Sequence, residues 1–228
     1  MRLFCHNISF RYPNAENDVF RNLSYQISEP GFNALFGPSG VGKTSFARII
    51  SGEIKNFSGE IRTEGIARIA YSYNLERLPG WSGVGTHIDK NIPPAQKRLK
   101  DDLIDVFGLE NCIHLRFSQL SMGQKNRVNL LRYLLQGFDL LIMDESLANV
   151  DEQTREIIIL KIKEIFPETL FLYISHNVIE VSKFCKDILV FRGAEKSPLM
   201  VYGQNLTAGQ ALNQSALDKT MLEIMNAS

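Results

Sequence analysis

Gly37 to Ser45 read GPSGVGKTS, the pattern G-x-x-x-x-G-K-[ST], with the apolar run NALF before it and a helix-forming stretch to Gly52 after it. No other stretch constrains the fold as tightly. A buried strand must end in a glycine-permitted loop that opens directly into a helix, the unit from which parallel sheets covered by helices are built. The residue types also dictate a chemistry. Gly37, Gly40 and Gly42 let the backbone curl so that N–H groups from Ser39 through Val41 point inward, with Pro38, which has no N–H, as part of the loop's frame, and the helix start adds partial positive charge. Lys43 supplies a full charge to β and γ phosphates, the Thr44 hydroxyl suits Mg²⁺, and Ser45 closes the loop.

The rest of the chain alternates short apolar runs with longer helical stretches, the pattern of a mostly parallel sheet. Leu3 to Phe10 and Asn22 to Ile27 alternate and are expected to pair as antiparallel strands, with SEPGF as a turn after them. DLLIMD (Asp139 to Asp144) and TLFLYIS (Thr169 to Ser175) are continuous and apolar, as strands buried on both faces should be. A helix is expected from about Glu152 to Phe166. Pro93 to Phe107, closed by Gly108, reads as a charged helix with a solvated face, and with the segment to Ser118 as a helical lobe. In the tail, PLMVYG suits an edge strand, and Leu217, Met221 and Met225 fall on one helical face expected to pack on the domain.

Composition excludes several classes. Lys plus Arg equal Asp plus Glu at 25 each, so the chain lacks the basic excess of a nucleic-acid binder. Cys5, Cys112 and Cys185 are far apart and odd in number, which argues against a disulfide framework or a zinc site and for a reducing cytoplasm. No apolar run reaches the roughly 18 residues of a membrane span, so direct membrane insertion is not expected.

The strand DLLIMD delivers two carboxylates at its carboxyl end, where open α/β sheets bind ligands. Asp144 is placed to hold a Mg²⁺ shell, and Glu145 to orient and deprotonate a water.

Taken together, GPSGVGKT, LSMGQ, LLIMDE and YISH, in that order and spacing, resemble the ATP-binding subunit of an ABC transporter from Tyr12 to His176. The resemblance implies an α/β P-loop NTPase core with a mostly parallel sheet, an antiparallel β subdomain at the amino terminus, and a helical lobe inserted before the signature motif. It implies one domain over 1–228, with a RecA-like core at about 1–74 and 121–228 and the lobe at about 75–120. ATP and Mg²⁺ are the implied cofactors. LSMGQ looks like the family signature, so Ser121, Gly123 and Gln124 of one subunit would cap ATP held by a second. The alternative is a helix start with Ser121 as its cap. Tyr12 matches the aromatic that stacks on adenine, or is a tyrosine packed at a strand end. Asp151 matches an aspartate facing the opposite subunit, and His176 the histidine that contacts the γ-phosphate beside Glu145.

Three positions depart from the pattern. Asn74 stands where a glutamine reaches Mg²⁺, its amide one methylene shorter. Met122 replaces a glycine of the signature. Ser146 replaces a proline and is expected to loosen the loop after Glu145 slightly. The implied function is Mg²⁺-dependent ATP hydrolysis by a homodimer or heterodimer, cytoplasmic and peripheral on the inner face of the membrane, energising separate permease subunits. The loop from Asn74 to about His87 would meet those partners, with Trp81 either an anchor or lobe packing, and RLPGW is loosely similar to a motif of nitrate, sulfonate and taurine importers. A soluble ABC ATPase without a transport role and a small-molecule kinase are the competing readings, although no acceptor pocket or arginine lid marks a kinase.

Overall fold

The computed structural model describes residues 1–74, 76, 83–193 and 196–227. RLPGW, with Trp81, lies wholly outside the described residues.

The fold is α/β with two sheets. β1 (Arg2–Phe10), β2 (Phe20–Ile27) and β4 (Ser58–Glu64) form an antiparallel sheet in the order β2-β1-β4. β1 alternates as the sequence does, burying Leu3, Cys5, Ile8 and Phe10. The second sheet runs β5-β6-β7-β3-β8-β9, from β5 (Ile69–Tyr73), β6 (Leu140–Asp144), β7 (Leu170–Ile174), β3 (Gly31–Phe36), β8 (Asp187–Val190) and β9 (Leu199–Tyr202). Its first five strands are parallel, and β9 closes the edge antiparallel to β8. β6 and β7 are buried at every position, which their unbroken apolar runs require of central strands.

Pleating divides these strands between two cores. Leu140 and Ile142 of β6 and Leu170, Leu172 and Ile174 of β7 face α1 (Lys43–Ile50) and the antiparallel sheet. Leu141, Met143, Phe171 and Tyr173 face the other side, with α4 (Met122–Leu134), α5 (Glu152–Ile165) and α6 (Val178–Phe184). Asp144 therefore sits in register with Leu140 and Ile142, on the side of α1. That phase brings it to Thr44.

Between β5 and α4 the described residues form α2 (Val84–Asn91), a 3-10 turn at Pro94–Gln96, α3 (Lys97–Val106) and a second 3-10 turn at Phe117–Gln119. The single helix expected from Pro93 to Phe107 is thus a 3-10 turn followed by a helix, and Gly108 ends it with φ 57°. Its charges are not all solvated: Lys100 is nearly buried and its Nζ donates to Asp89 Oδ1 at 2.7 Å.

The expected face of the tail helix needs correction. α7 (Gln214–Ala227) buries Leu217, Thr220, Ile224 and Ala227, whereas Met225 is 64% exposed. Thr220 Oγ1 donates to Tyr202 O on β9 at 3.2 Å, which fixes the helix about its axis with Met221 half-buried at the border of that face and Met225 turned away.

Candidate functional site

Parallel strands share one carboxyl edge, and the candidate residues are strung along it. Gly37 follows β3, His176 lies two residues beyond β7, Glu145 follows β6, and Asn74 follows β5. Because β7 lies between β3 and β6, His176 stands between the glycine loop and Glu145. A cleft of about 460 Å³ is lined by Tyr12, Val19, Ser39, Gly40, Gly42, Lys43, Thr44, Ser45, Glu145 and His176.

Glycine is obligatory at two places in the loop. A Cβ on Gly37 (φ 143°) would lie 2.6 Å from Phe191 O, and one on Gly42 (φ 103°) 2.5 Å from Val19 Cγ1. Gly42 also precedes α1 without any side-chain cap, so the first N–H groups of that helix are not spent on a capping oxygen. Lys43 is 5% exposed and its Nζ donates to Gly37 O at 2.7 Å and Pro38 O at 2.8 Å. Burial pushes its ammonium below the ordinary lysine value, and the Glu145 and Asp144 carboxylates act in the opposite direction.

Asp144 is held by two hydroxyls on one oxygen. Thr44 Oγ1 donates to Oδ2 at 2.9 Å and Tyr71 Oη at 2.7 Å. Burial, and then the Asp144 charge, raise the Tyr71 phenol well above its ordinary value, so it stays a donor. Glu145 has φ 51°, an unusual conformation for glutamate, and its Oε1 lies 2.5 Å from His176 Nε2. The Asn74 N–H donates to Asp144 O at 3.1 Å, and its side-chain oxygen is buried without a hydrogen-bond partner.

Tyr12 lines the cleft and is 47% exposed, and its hydroxyl shares a hydrogen bond of 2.7 Å with Ser45 Oγ. The ring meets Phe10 edge-on at 4.8 Å, leaving it on the surface rather than in the strand core.

Ser121, Gly123, Gln124 and Asp151 do not line this cleft. Ser121 caps α4, its Oγ accepting from Gln124 N at 3.2 Å while Gln124 Oε1 accepts from Ser121 N at 2.9 Å. Gln124 is thus committed within its own helix start. A Cβ on Gly123 would lie 2.3 Å from Asn149 O, so this glycine lets α4 pack on the loop after β6, where Asn126 Nδ2 donates to Ala148 O. Met122 is exposed. Asp151 caps α5 by accepting from Thr154 N at 2.9 Å, a bond that holds its carboxyl below the usual range.

Ser146 does not loosen its loop. It is 2% exposed, and its Oγ lies 2.9 Å from both the carbonyl oxygen and the Oγ of Ser72. The hydroxyl ties this loop to β5 where a proline ring has nothing to donate.

Sequence reasoning missed Tyr71, Ser72 and the buried Glu180. Glu180 Oε2 accepts from Tyr173 Oη at 2.8 Å and Ser175 Oγ at 3.0 Å. Its Oε1 accepts from Asn177 Nδ2 and pairs with Arg155, whose Nη2 donates to Val150 O. Glu180 is four residues past His176, a helical spacing that returns it toward the loop, but no local signal reveals its distant partners.

Comparisons with known proteins bear on the family and the fold. The profile of the ABC transporter family matches residues 20–148. The molybdenum import ATP-binding protein ModC of Photorhabdus laumondii is 28% identical over 230 residues, covering 92% of this chain and 64% of its own length. The taurine import ATP-binding protein TauB of Pseudomonas putida is 27% identical over 236 residues, covering 95% and 89%. The chain spans about half to two thirds of the length of the ModC relatives. A dimeric ATP-binding cassette, MJ0796, in a post-hydrolysis state with ADP and Pi, superposes with a TM-score of 0.74 at 20% identity, over 90% of this chain and 100% of that one. The glycine loop, Asp144 and Glu145 all fall within the matched span, which takes in more than half of the sequence, and the chain belongs to the ABC transporter family.

Proposed function

We propose that the chain binds ATP in the cleft between Tyr12, the Gly37–Ser45 loop, Glu145 and His176, and hydrolyses it with Mg²⁺ to energise solute import through separate membrane-spanning subunits. The observation that carries this reading is the meeting, in one cleft, of a phosphate cradle with the Glu145 carboxylate and the His176 imidazole. Names of relatives that import molybdenum and taurine support import as the direction.

The donor set suits Mg²⁺. Thr44 Oγ1, the Asp144 carboxylate and the unpartnered Asn74 Oδ1 are hard oxygens, and such sites leave other positions to phosphate and water. A cluster of three acidic, histidine or cysteine ligands is not needed for this, and the described residues contain none. Mg²⁺, when bound, offsets charge on the β and γ phosphates. Lys43 adds its own charge there, and the uncapped start of α1 adds N–H donors. Glu145 accepts the proton of the attacking water while the terminal phosphorus–oxygen bond to ADP breaks, and His176 orients the transferred group.

Glu145 and His176, 2.5 Å apart, leave no room for a water between them, so turnover requires the pair to part. A second chain supplies the occasion. Its Ser121 hydroxyl and Gly123 backbone close over the terminal phosphate, and its Asp151 lies at the joint. Ser121 and Asp151 are exposed here, as this requires. In this reading the core spans about 1–74 and 121–228, the lobe about 75–120, and the loop from Asn74 to His87 docks on the membrane partner. The chain works on the inner face of the membrane, and no helix of the described residues is long and apolar enough to cross it.

The test is steady-state turnover of MgATP by purified protein, beside the oligomeric state of Glu145→Gln. The variant should lose turnover and accumulate as a dimer with MgATP. Full turnover in Glu145→Gln, or a strictly monomeric variant at saturating MgATP, overturns the reading.

A further inference from the structure

Glu145 is held in its left-handed conformation from both sides by a single strand. A non-glycine residue keeps such a backbone only where its surroundings over-determine it. Tyr71 donates to the carboxylate of the residue before it, Asp144. Ser72 receives the hydroxyl of the residue after it, Ser146. Tyr71 and Ser72 are consecutive in β5, so the pleat sends them to opposite faces, and they reach the end of β6 from opposite sides. Tyr71 belongs to the core on the α1 side. Ser72 is fully buried and Ser146 nearly so, so these hydroxyls bond to each other without competition from solvent.

We propose that Tyr71, Ser72 and Ser146 are positioning residues for Glu145. The Ser72–Ser146 hydroxyl pair stiffens the turn that a proline ring would otherwise stiffen, and Tyr71 fixes Asp144 on the near side. The proposal rests on Glu145 being the proton acceptor of the proposed function. None of the three lines the nucleotide cleft, so they act through Glu145 and Asp144 alone. The same strand runs on into Asn74, whose N–H is bonded to Asp144 O. Movement of the loop at Asn74 therefore reaches Glu145 through three separate links rather than one.

The experiment uses the full chain and three variants, Ser146→Ala, Ser146→Pro and Tyr71→Phe, with two readouts. The first is amide hydrogen exchange of the segment 140–150 in nucleotide-free protein, and the second is MgATP turnover beside nucleotide affinity. In Ser146→Ala, loss of a buried hydrogen bond should speed exchange of this segment about tenfold. Turnover should fall about three- to tenfold while KM stays within about twofold, the pattern of a group acting on the chemical step. Ser146→Pro should restore both toward wild type, which a generic packing defect would not do. Tyr71→Phe, which removes one oxygen, serves if the alanine variant fails to fold, and should raise the Mg²⁺ concentration for half-maximal rate about threefold. Unchanged exchange in Ser146→Ala overturns the proposal, and so does faster exchange with wild-type turnover. A wild-type chain with no MgATP turnover overturns the hydrolysis reading instead, and exchange alone then decides whether the anchor exists.

Discussion

Two helix starts in this chain look alike in sequence and are built in opposite ways. α1 begins after Gly42 with no side-chain cap, no acidic residue in its first turn, and a buried lysine as its first residue. α4 begins after Ser121 with a complete capping box, in which Ser121 and Gln124 satisfy each other's backbone N–H groups. The first leaves its donors to be completed by something from outside the helix, which weakens the helix and suits a phosphate. The second is complete by itself and stable without a ligand, and what it presents outward is a surface: the exposed Ser121 and Met122. In the proposed function the first start binds the chain's own nucleotide and the second closes on a neighbour's, and the two differ in where the helix spends its first hydrogen bonds.

That contrast can be broken by substitution, and the largest effect belongs to the uncapped start. Lys43→Met should weaken MgATP binding to the single chain by about a hundredfold or more, as expected when a charge-assisted phosphate contact is removed from a buried position. Ser121→Ala should leave that affinity within about twofold, because its hydroxyl is remote from the chain's own cleft. Equal losses measured by equilibrium binding would erase the distinction. Next in size is Gly123→Ala, where the new methyl meets Asn149 O at 2.3 Å. Overpacking of this kind costs about 1–3 kcal/mol, readable in chemical denaturation. Gly40→Ala meets nothing within 4 Å, and costs about 1 kcal/mol through its φ of 81° alone. Of similar size, Ser121→Ala removes the cap of α4 and should cost about 1 kcal/mol in the same assay.

The smallest expected effect concerns pH and should be blind to both helix starts. Burial pushes the Cys5 thiol from 9.0 up to about 12, and raises Cys185, Tyr25 and Tyr173 as well. With folded values above unfolded ones, stability is complete below the ordinary thiol value and is lost as pH rises through and beyond it. Lys163 is pushed from 10.5 down to about 8, chiefly by burial, which by the same linkage adds stability as pH climbs between those values. Two lysines, Lys163 and Lys43, oppose several thiols and phenols. The melting temperature should hold to about pH 9 and fall above pH 10, with the same profile in wild type and Ser121→Ala.

What could be read from the sequence was whatever chemistry and pattern declare locally. The strand ending in Asp144 was visible as an apolar run, and the glycine loop as a motif in its required context. Glu145 came from its place at a strand end, and His176 from the resemblance of YISH to the family's pattern after a strand. β4, Ser58 to Glu64, has one half-buried residue, Ile61, and no apolar run, because it is held by pairing with β1 rather than by its own burial. β5 hides Ser72 in its interior, and the reason is Ser146, 74 positions away. The buried face of α7 is set by Thr220, bonded to Tyr202, which leaves Met221 half-buried and Met225 in solvent. In each case the deciding partner is distant in sequence, and single-residue propensity carries no trace of it.

Glu180 has one last implication. Its carboxylate takes hydrogen bonds from the end of β7, from the residue after His176, and from an arginine that also grips the carbonyl beside Asp151. It works as a rivet through two surface loops, and riveted plates do not slide independently. In the proposed dimer, a push at Asp151 would therefore reach His176 as rigid displacement rather than local slack.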